Sequence, residues 1–187
     1  MVNFVKLLKL AAIIVQFSTK TKMSLTAALL QTFNTNFLNN ALQRIVRDCT
    51  KQSFITHVGS VESWPQNNII HGQNAAMIFN TEYATEAGEH WLAVYIEKSS
   101  QTAFLFDSLP VRPFPQQILG KLQNVCKNII NTNPENYILQ NPEYPLCGIY
   151  CLAFLYCCTH NEPFFLCANN QTFNDVTVLN VVLPYLK

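Results

Sequence analysis

Cys147 and Gly148 lead into Ile149-Tyr150-Cys151-Leu152-Ala153-Phe154-Leu155-Tyr156, a run without a charged or amide side chain. A helix built from it has no face to turn toward water, so other elements must surround it. That takes layers of structure around one sizeable core. The chain can supply them. Of its 187 residues 49% are apolar and 12% charged, a globular composition rather than a disordered one. No repeat, low-complexity tract or linker divides residues 23–187, which therefore read as a single domain.

Periodicity outlines the surrounding elements. Residues 24–33 read as helical. Leu38, Ala41, Leu42, Ile45 and Val46 share one face at helical spacing and predict a helix running to about Asp48. Residues 50–72 are mixed and polar, with Trp64-Pro65, and read as an extended loop. Ala75 to Phe79 predicts a short strand, and 90–97 and 102–107 predict two longer ones. After Pro110, Pro113 and Pro115, the positions Ile118, Leu119, Leu122, Val125, Cys126, Ile129 and Ile130 mark one amphipathic helix. A short strand over 137–140 precedes the Cys147 helix, and a last helix lies around Val176 to Val182. The expected fold class is α+β, a small mixed β-sheet packed against a buried central helix.

Four residues carry candidate chemistry. Cys147 falls at a loop-to-helix junction, where the positive end of the helix dipole favours a thiolate and backbone N–H groups lack helical partners. Gln140, seven positions earlier, closes Tyr137-Ile138-Leu139, and the loop between can return its amide to the thiol. His90 opens the strand Trp91-Leu92-Ala93-Val94-Tyr95-Ile96, and Asp107 closes Ala103-Phe104-Leu105-Phe106. If these strands pair as a hairpin through 97–101, His90 and Asp107 meet at its open end. Thiolate nucleophile, imidazole base, orienting carboxylate and oxyanion-binding amide form the working set of a thiol protease. Singly, a cysteine at a helix start is most often a small buried hydrophobe, and a histidine before tryptophan a partly buried ring. Four such residues in this order, each at an element end, favour catalysis.

Other features exclude other classes. The formal charge of +1 gives no bulk field to draw the chain onto nucleic acid or an anionic membrane. Arg44, Arg47 and Lys51 could share a helical face, which ordinarily is a solvated one. Seven cysteines with no paired framework fit a reducing compartment. Cys157, Cys158 and His160 lack the spacing of structural zinc ligands, so no metal is expected. Residues 1–18 carry Lys6, Lys9 and a short apolar stretch, Leu10 to Val15, and no small-residue cleavage site follows, unlike a secretory leader. Met23 is a candidate start, which would make 1–22 an N-terminal extension. The sequon Asn170-Gln171-Thr172 matters only in a secreted chain.

Three stretches resemble the adenain family, the adenovirus maturation proteases. Ala41-Leu42-Gln43-Arg44-Ile45-Val46-Arg47-Asp48, with Phe54 and Trp64-Pro65, is similar to that family's N-terminal helix and following loop. Asn74 to Thr81 with Gly88-Glu89-His90-Trp91-Leu92-Ala93 resembles its approach to the catalytic histidine, and Gln140 with Cys147-Gly148 its oxyanion glutamine and nucleophile. Similar proteases occur in Maverick- or Polinton-type transposons and related viruses. The resemblance implies an adenain/ubiquitin-like-protease-type fold and assigns His90, Asp107, Gln140 and Cys147 the four roles above, with Trp91 and Gly148 as substrate contacts. It implies a polypeptide substrate, a capsid or core precursor, and DNA or an activating peptide as partners. The chain departs from the family at four points, one of them a shorter segment between Asp107 and Gln140. The acid is Asp107 in Phe106-Asp107-Ser108-Leu109, closer to ubiquitin-like-protein proteases than to the usual Glu. No cysteine matches the one that links adenain to its peptide, and few cations are present, so stimulation by DNA is expected to be small. No cofactor is expected; an intracellular or virion-associated monomer, not secreted and not membrane-bound, is. The competing functions are an isopeptidase acting on ubiquitin-like conjugates, with the same site, and an inactive domesticated binding module.

Overall fold

Five strands form one sheet in the order β1-β2-β3-β4-β5, which is also their order along the chain. The computed structural model describes residues 35–49, 54–64, 73–81, 90–110, 112–133, 137–140, 142, 146–162 and 175–186. The expected helix over 24–33, the extension 1–22 and the sequon lie outside these residues. The strands are β1 (Phe54–Ser60), β2 (Asn74–Asn80), β3 (Trp91–Glu97), β4 (Thr102–Phe106) and β5 (Asn128–Asn131). The three central strands are antiparallel, while β1 joins β2 and β5 joins β4 in parallel. The helices are α1 (Thr35–Asp48), α2 (Gln116–Gln123), α3 (Cys147–His160) and α4 (Asp175–Val182). This is the α+β class expected, with a mixed sheet.

The sheet is covered on both faces, and the alternation along each strand decides which side chain goes where. Ala76 and Ile78 of β2, Ala93 and Tyr95 of β3 and Phe106 of β4 face a core shared with α1, α3 and α4. Ala75, Met77, Phe79, Val94, Ile96, Ala103 and Leu105 face a second core with Ile118 and Leu122 of α2, Val61 and Trp64. Burial on both faces explains why β2 and β3 read as continuous apolar runs. Aromatic stacking adds to each core: Phe106 on Phe154 at 4.7 Å on the α3 side, Trp64 on Phe79 at 5.4 Å on the α2 side. Helix α3 is the surrounded element that its sequence requires, buried from Cys147 through Leu155. Truncating one of its fully buried side chains, Phe154→Ala, should cost about 3–5 kcal/mol. The helix ends where Asn161 adopts a left-handed conformation (φ 56°) and its N–H returns to the Cys157 carbonyl.

Three expectations are corrected. Residues 50–72 contain β1, whose pattern is weak because only Ile55 is buried; full-length pairing with β2 supplies the ladder. The amphipathic helix expected over Ile118 to Ile130 ends at Gln123, and Ile129 and Ile130 lie on β5. Ile129 packs on the second core and Ile130 faces out, a period of two that β-branched pairs favour once a sheet edge is present. Residues 137–140 form no strand; Tyr137 and Ile138 are exposed, and side chains rather than a partner strand hold the segment. The candidate basic face is also reduced, because Arg44 donates from a guanidinium nitrogen to the Tyr185 carbonyl at 3.1 Å.

Candidate active site

The β3–β4 hairpin brings His90 and Asp107 together. Its register pairs Glu97 with Thr102 and Ala93 with Phe106, so the residue before β3 and the residue after β4 emerge at one end. The turn between them closes with Gln101 at φ 52° and its N–H bonded to the Lys98 carbonyl. The His90 carbonyl is fixed in turn by the Thr81 N–H at 3.0 Å, which extends the β2–β3 ladder to the histidine. At this end the imidazole Nε2 lies 2.6 Å from the Asp107 carboxylate, and both side chains are largely buried. The same carboxylate oxygen accepts the Leu109 N–H at 2.8 Å, so a tight turn after β4 aims it.

Nε2 is committed to Asp107, and Cys147 lies close enough to the ring to raise its pKa. Burial pulls the His90 pKa down, but the hydrogen bonds to Asp107 and Cys147, together with the charges of both, lift it from 6.5 to about 9. The ring therefore carries its proton at neutral pH. Cys147 begins α3, and Leu146 before it gives the first turn no side-chain cap. The first backbone N–H groups of a helix have no carbonyl four residues back, so they point toward the space in front of the thiol.

Other thiols are poorly placed to compete. Cys151, one turn behind, donates to the Trp91 carbonyl at 3.3 Å; burial, then the charges of Cys147 and Asp107, push its pKa well above the usual value. Burial raises Cys126 to about 11 and lifts Cys158 as well. Cys49 donates to the Thr159 carbonyl at 2.9 Å. Cys49, Cys126, Cys147, Cys151, Cys157 and Cys158 are all free thiols. Among the described residues no cluster of three or more His, Cys, Asp or Glu could hold a metal.

Gln140 is buried and joins the site through Ser108, whose hydroxyl donates to Gln140 Oε1 at 2.8 Å. The Asp107-Ser108 turn thus links the two groups, Ser108 bonding Gln140 and Asp107 bonding His90. Asn133 holds the segment from the other side. Its Nδ2 donates to the carbonyls of Asp107 (3.2 Å) and Tyr137 (2.7 Å), and its Oδ1 accepts the Tyr137 N–H (3.0 Å). Tyr150, on the first turn of α3, sets its hydroxyl 2.9 Å from the Leu139 carbonyl and 2.8 Å from the Asp175 carboxylate. Sequence reasoning missed Ser108, Asn133 and Tyr150. The first lies beside a candidate acid and the second in an Asn-rich turn, but nothing in the sequence marks what they reach.

Trp91 and Gly148, expected as substrate contacts, meet each other. A Cβ added to Gly148 would lie 3.0 Å from Leu38 Cδ2 of α1 and 3.5 Å from Trp91 Cδ1. The missing side chain lets α1 and the Trp91 ring approach the first turn of α3, and Gly148 is buried.

A similar fold occurs in a solved protease. The structure superposes on the ASFV protease crystal structure at a TM-score of 0.59, with 16% identity, over 81% of this chain and 67% of that one. A looser likeness, TM-score 0.46 with 14% identity, covers 82% of this chain and 78% of the SUMO protease Ulp1. In sequence the chain is 31% identical over 94 residues to the protease of Porcine adenovirus A serotype 3. That match spans 44% of this chain and 46% of the adenovirus protein, so less than half of the relative's length is matched. The expected likeness to adenovirus proteases is therefore present. No family model matches the chain.

Proposed function

We propose that the chain is a cysteine endopeptidase of adenain type that cuts viral or transposon capsid or core precursors at glycine-containing sites. The observation that carries this reading is the His90–Asp107 pair at 2.6 Å, with Cys147, at an uncapped helix start, close enough to raise the His90 pKa. In the reaction the Cys147 sulfur attacks the scissile carbonyl carbon and an S–C bond forms. The carbonyl electron pair moves to oxygen, where the Cys147 N–H and the Gln140 amide receive the charge. The His90 imidazolium gives its proton to the leaving nitrogen as the C–N bond breaks. Water then attacks the thioester carbon, giving a proton to His90, and the thiolate leaves. Asp107 holds the ring in the required tautomer throughout. Trp91 flanks the site at the start of β3 and Gly148 contributes backbone, so any contact with substrate is through the indole edge or the α3 amides.

The polypeptide substrate and an intracellular or virion setting follow from the same reading. Among the described residues no helix is long and apolar enough to cross a membrane. Arg44 is engaged with Tyr185, which supports a small response to DNA rather than a strong one.

The test is cleavage of a glycine-containing capsid precursor beside a ubiquitin-like conjugate, with wild-type and Cys147→Ala protein. Cleavage of the precursor and total loss in Cys147→Ala, with unchanged circular dichroism, supports the reading. Preferred cleavage of the conjugate would transfer the assignment to an isopeptidase. Activity surviving in Cys147→Ala, or first labelling of Cys151 by iodoacetamide, would overturn the nucleophile.

A further inference from the structure

We infer that Ser108 is a positioning residue that sets which end of the Gln140 amide faces the reacting carbonyl. A primary amide has two ends of nearly equal size and opposite hydrogen-bonding character. Only the N–H₂ end stabilises an oxyanion; the oxygen end would repel it. Something must therefore choose between them, and the choice must survive in a dry site.

Ser108 is fully buried, out of reach of bulk water. Among the described residues its one side-chain partner is Gln140 Oε1 at 2.8 Å. Turning the amide over would set Nε2 against the hydroxyl and deprive the serine proton of that acceptor. A buried donor left without one is costly, so Ser108 biases the amide toward presenting nitrogen elsewhere. The Ser108 backbone adds to the grip, because its carbonyl accepts the N–H of Leu139 at 2.9 Å and of Gln140 at 3.4 Å. Ser108 thus touches Gln140 at both main chain and side chain. It also follows Asp107 directly, in the turn where the Leu109 N–H aims the carboxylate. One short turn thereby orients both the imidazole and the amide. This inference rests on the proposed oxyanion role of Gln140.

The experiment is a double-mutant cycle on the full chain: wild type, Ser108→Ala, Gln140→Ala and the pair. Turnover of a glycine-containing fluorogenic peptide is followed from pH 6 to 10, with Tm as a control on folding. Gln140→Ala should lower kcat by about 10²- to 10³-fold, the loss expected for one oxyanion donor. Ser108→Ala should lower kcat by about tenfold, the worth of one neutral hydrogen bond, with KM and the alkaline limb unmoved. In the Gln140→Ala background the serine change should add nothing. The same tenfold loss in that background, or a shifted alkaline limb, would overturn the inference and assign Ser108 to the fold or to the Asp107–His90 pair. Full activity in Ser108→Ala beside a large loss in Gln140→Ala would overturn Ser108 alone. An undiminished kcat in Gln140→Ala would overturn the oxyanion reading and the inference with it.

Discussion

His90 and Asp107 sit at the end of a ladder of backbone hydrogen bonds, whereas Gln140 sits in a segment that has no ladder. The first pair is aligned by the β3–β4 register and extended by the bond between Thr81 and the His90 carbonyl. The second is fixed by side chains from three places: Ser108 after β4, Asn133 after β5 and Tyr150 on α3. A ladder spreads its support over many equivalent bonds, so losing one changes little. A side-chain network concentrates support in a few buried groups, and losing one leaves its partners unsatisfied. The two halves of the site should therefore respond to mutation in different ways.

The largest effect is expected at the hairpin end, and it is purely catalytic. Replacing His90 by Ala should reduce kcat/KM by at least about 10⁴-fold while the ladder keeps the fold. A large fall in Tm alongside would mean that the imidazole also carries the hairpin. Asp107→Ala should cost less, about 10⁴-fold or below, because a misaligned imidazole still acts, and Asp107→Glu should retain appreciable turnover. Full activity in Asp107→Ala would remove the acid from the mechanism.

At the coil end, stability and rate should fall together. Asn133→Ala strips three hydrogen bonds that join 107, 133 and 137, at a cost of about 1–3 kcal/mol for the groups left buried. We expect a lower Tm and a kcat loss no larger than that of Gln140→Ala. An unchanged Tm would show that backbone contacts, not Asn133, hold the segment. An unchanged kcat with a lower Tm would uncouple that segment from the amide.

The smallest effect is in pH. The His90 pKa is raised, so the stability contributed by its proton is complete below about 6.5 and disappears as pH rises through about 9. The Tm difference between wild type and His90→Gln should shrink over that window, and kcat/KM should fall on an alkaline limb near 9. A limb near 6.5 would mean that Asp107 and Cys147 do not hold the proton on the ring.

The same contrast explains what the sequence discloses. His90 and Asp107 are legible because strand periodicity and a short turn are local properties, and a hairpin makes its two ends meet. Cys147 is legible because an apolar run with a loop before it announces a buried helix. Gln140 is legible through its spacing from Cys147 and the family resemblance, but its anchoring is not. Ser108 and Asn133 act across 32 and 26 residues, on Gln140 and Asp107, and no local pattern encodes such reach. β1 and β5 were hidden for a related reason. Both are edge strands with few buried positions, made strands by the neighbours they pair with.

Because α3 is enclosed by the sheet on one side and by α1 and α4 on others, the surroundings of its first residue exist only once these elements have packed. The hairpin can close early through contacts near in sequence, but the thiol reaches His90 only when α3 docks on β3. If Cys147 is the nucleophile, as proposed, packing of the core and assembly of the site are one event.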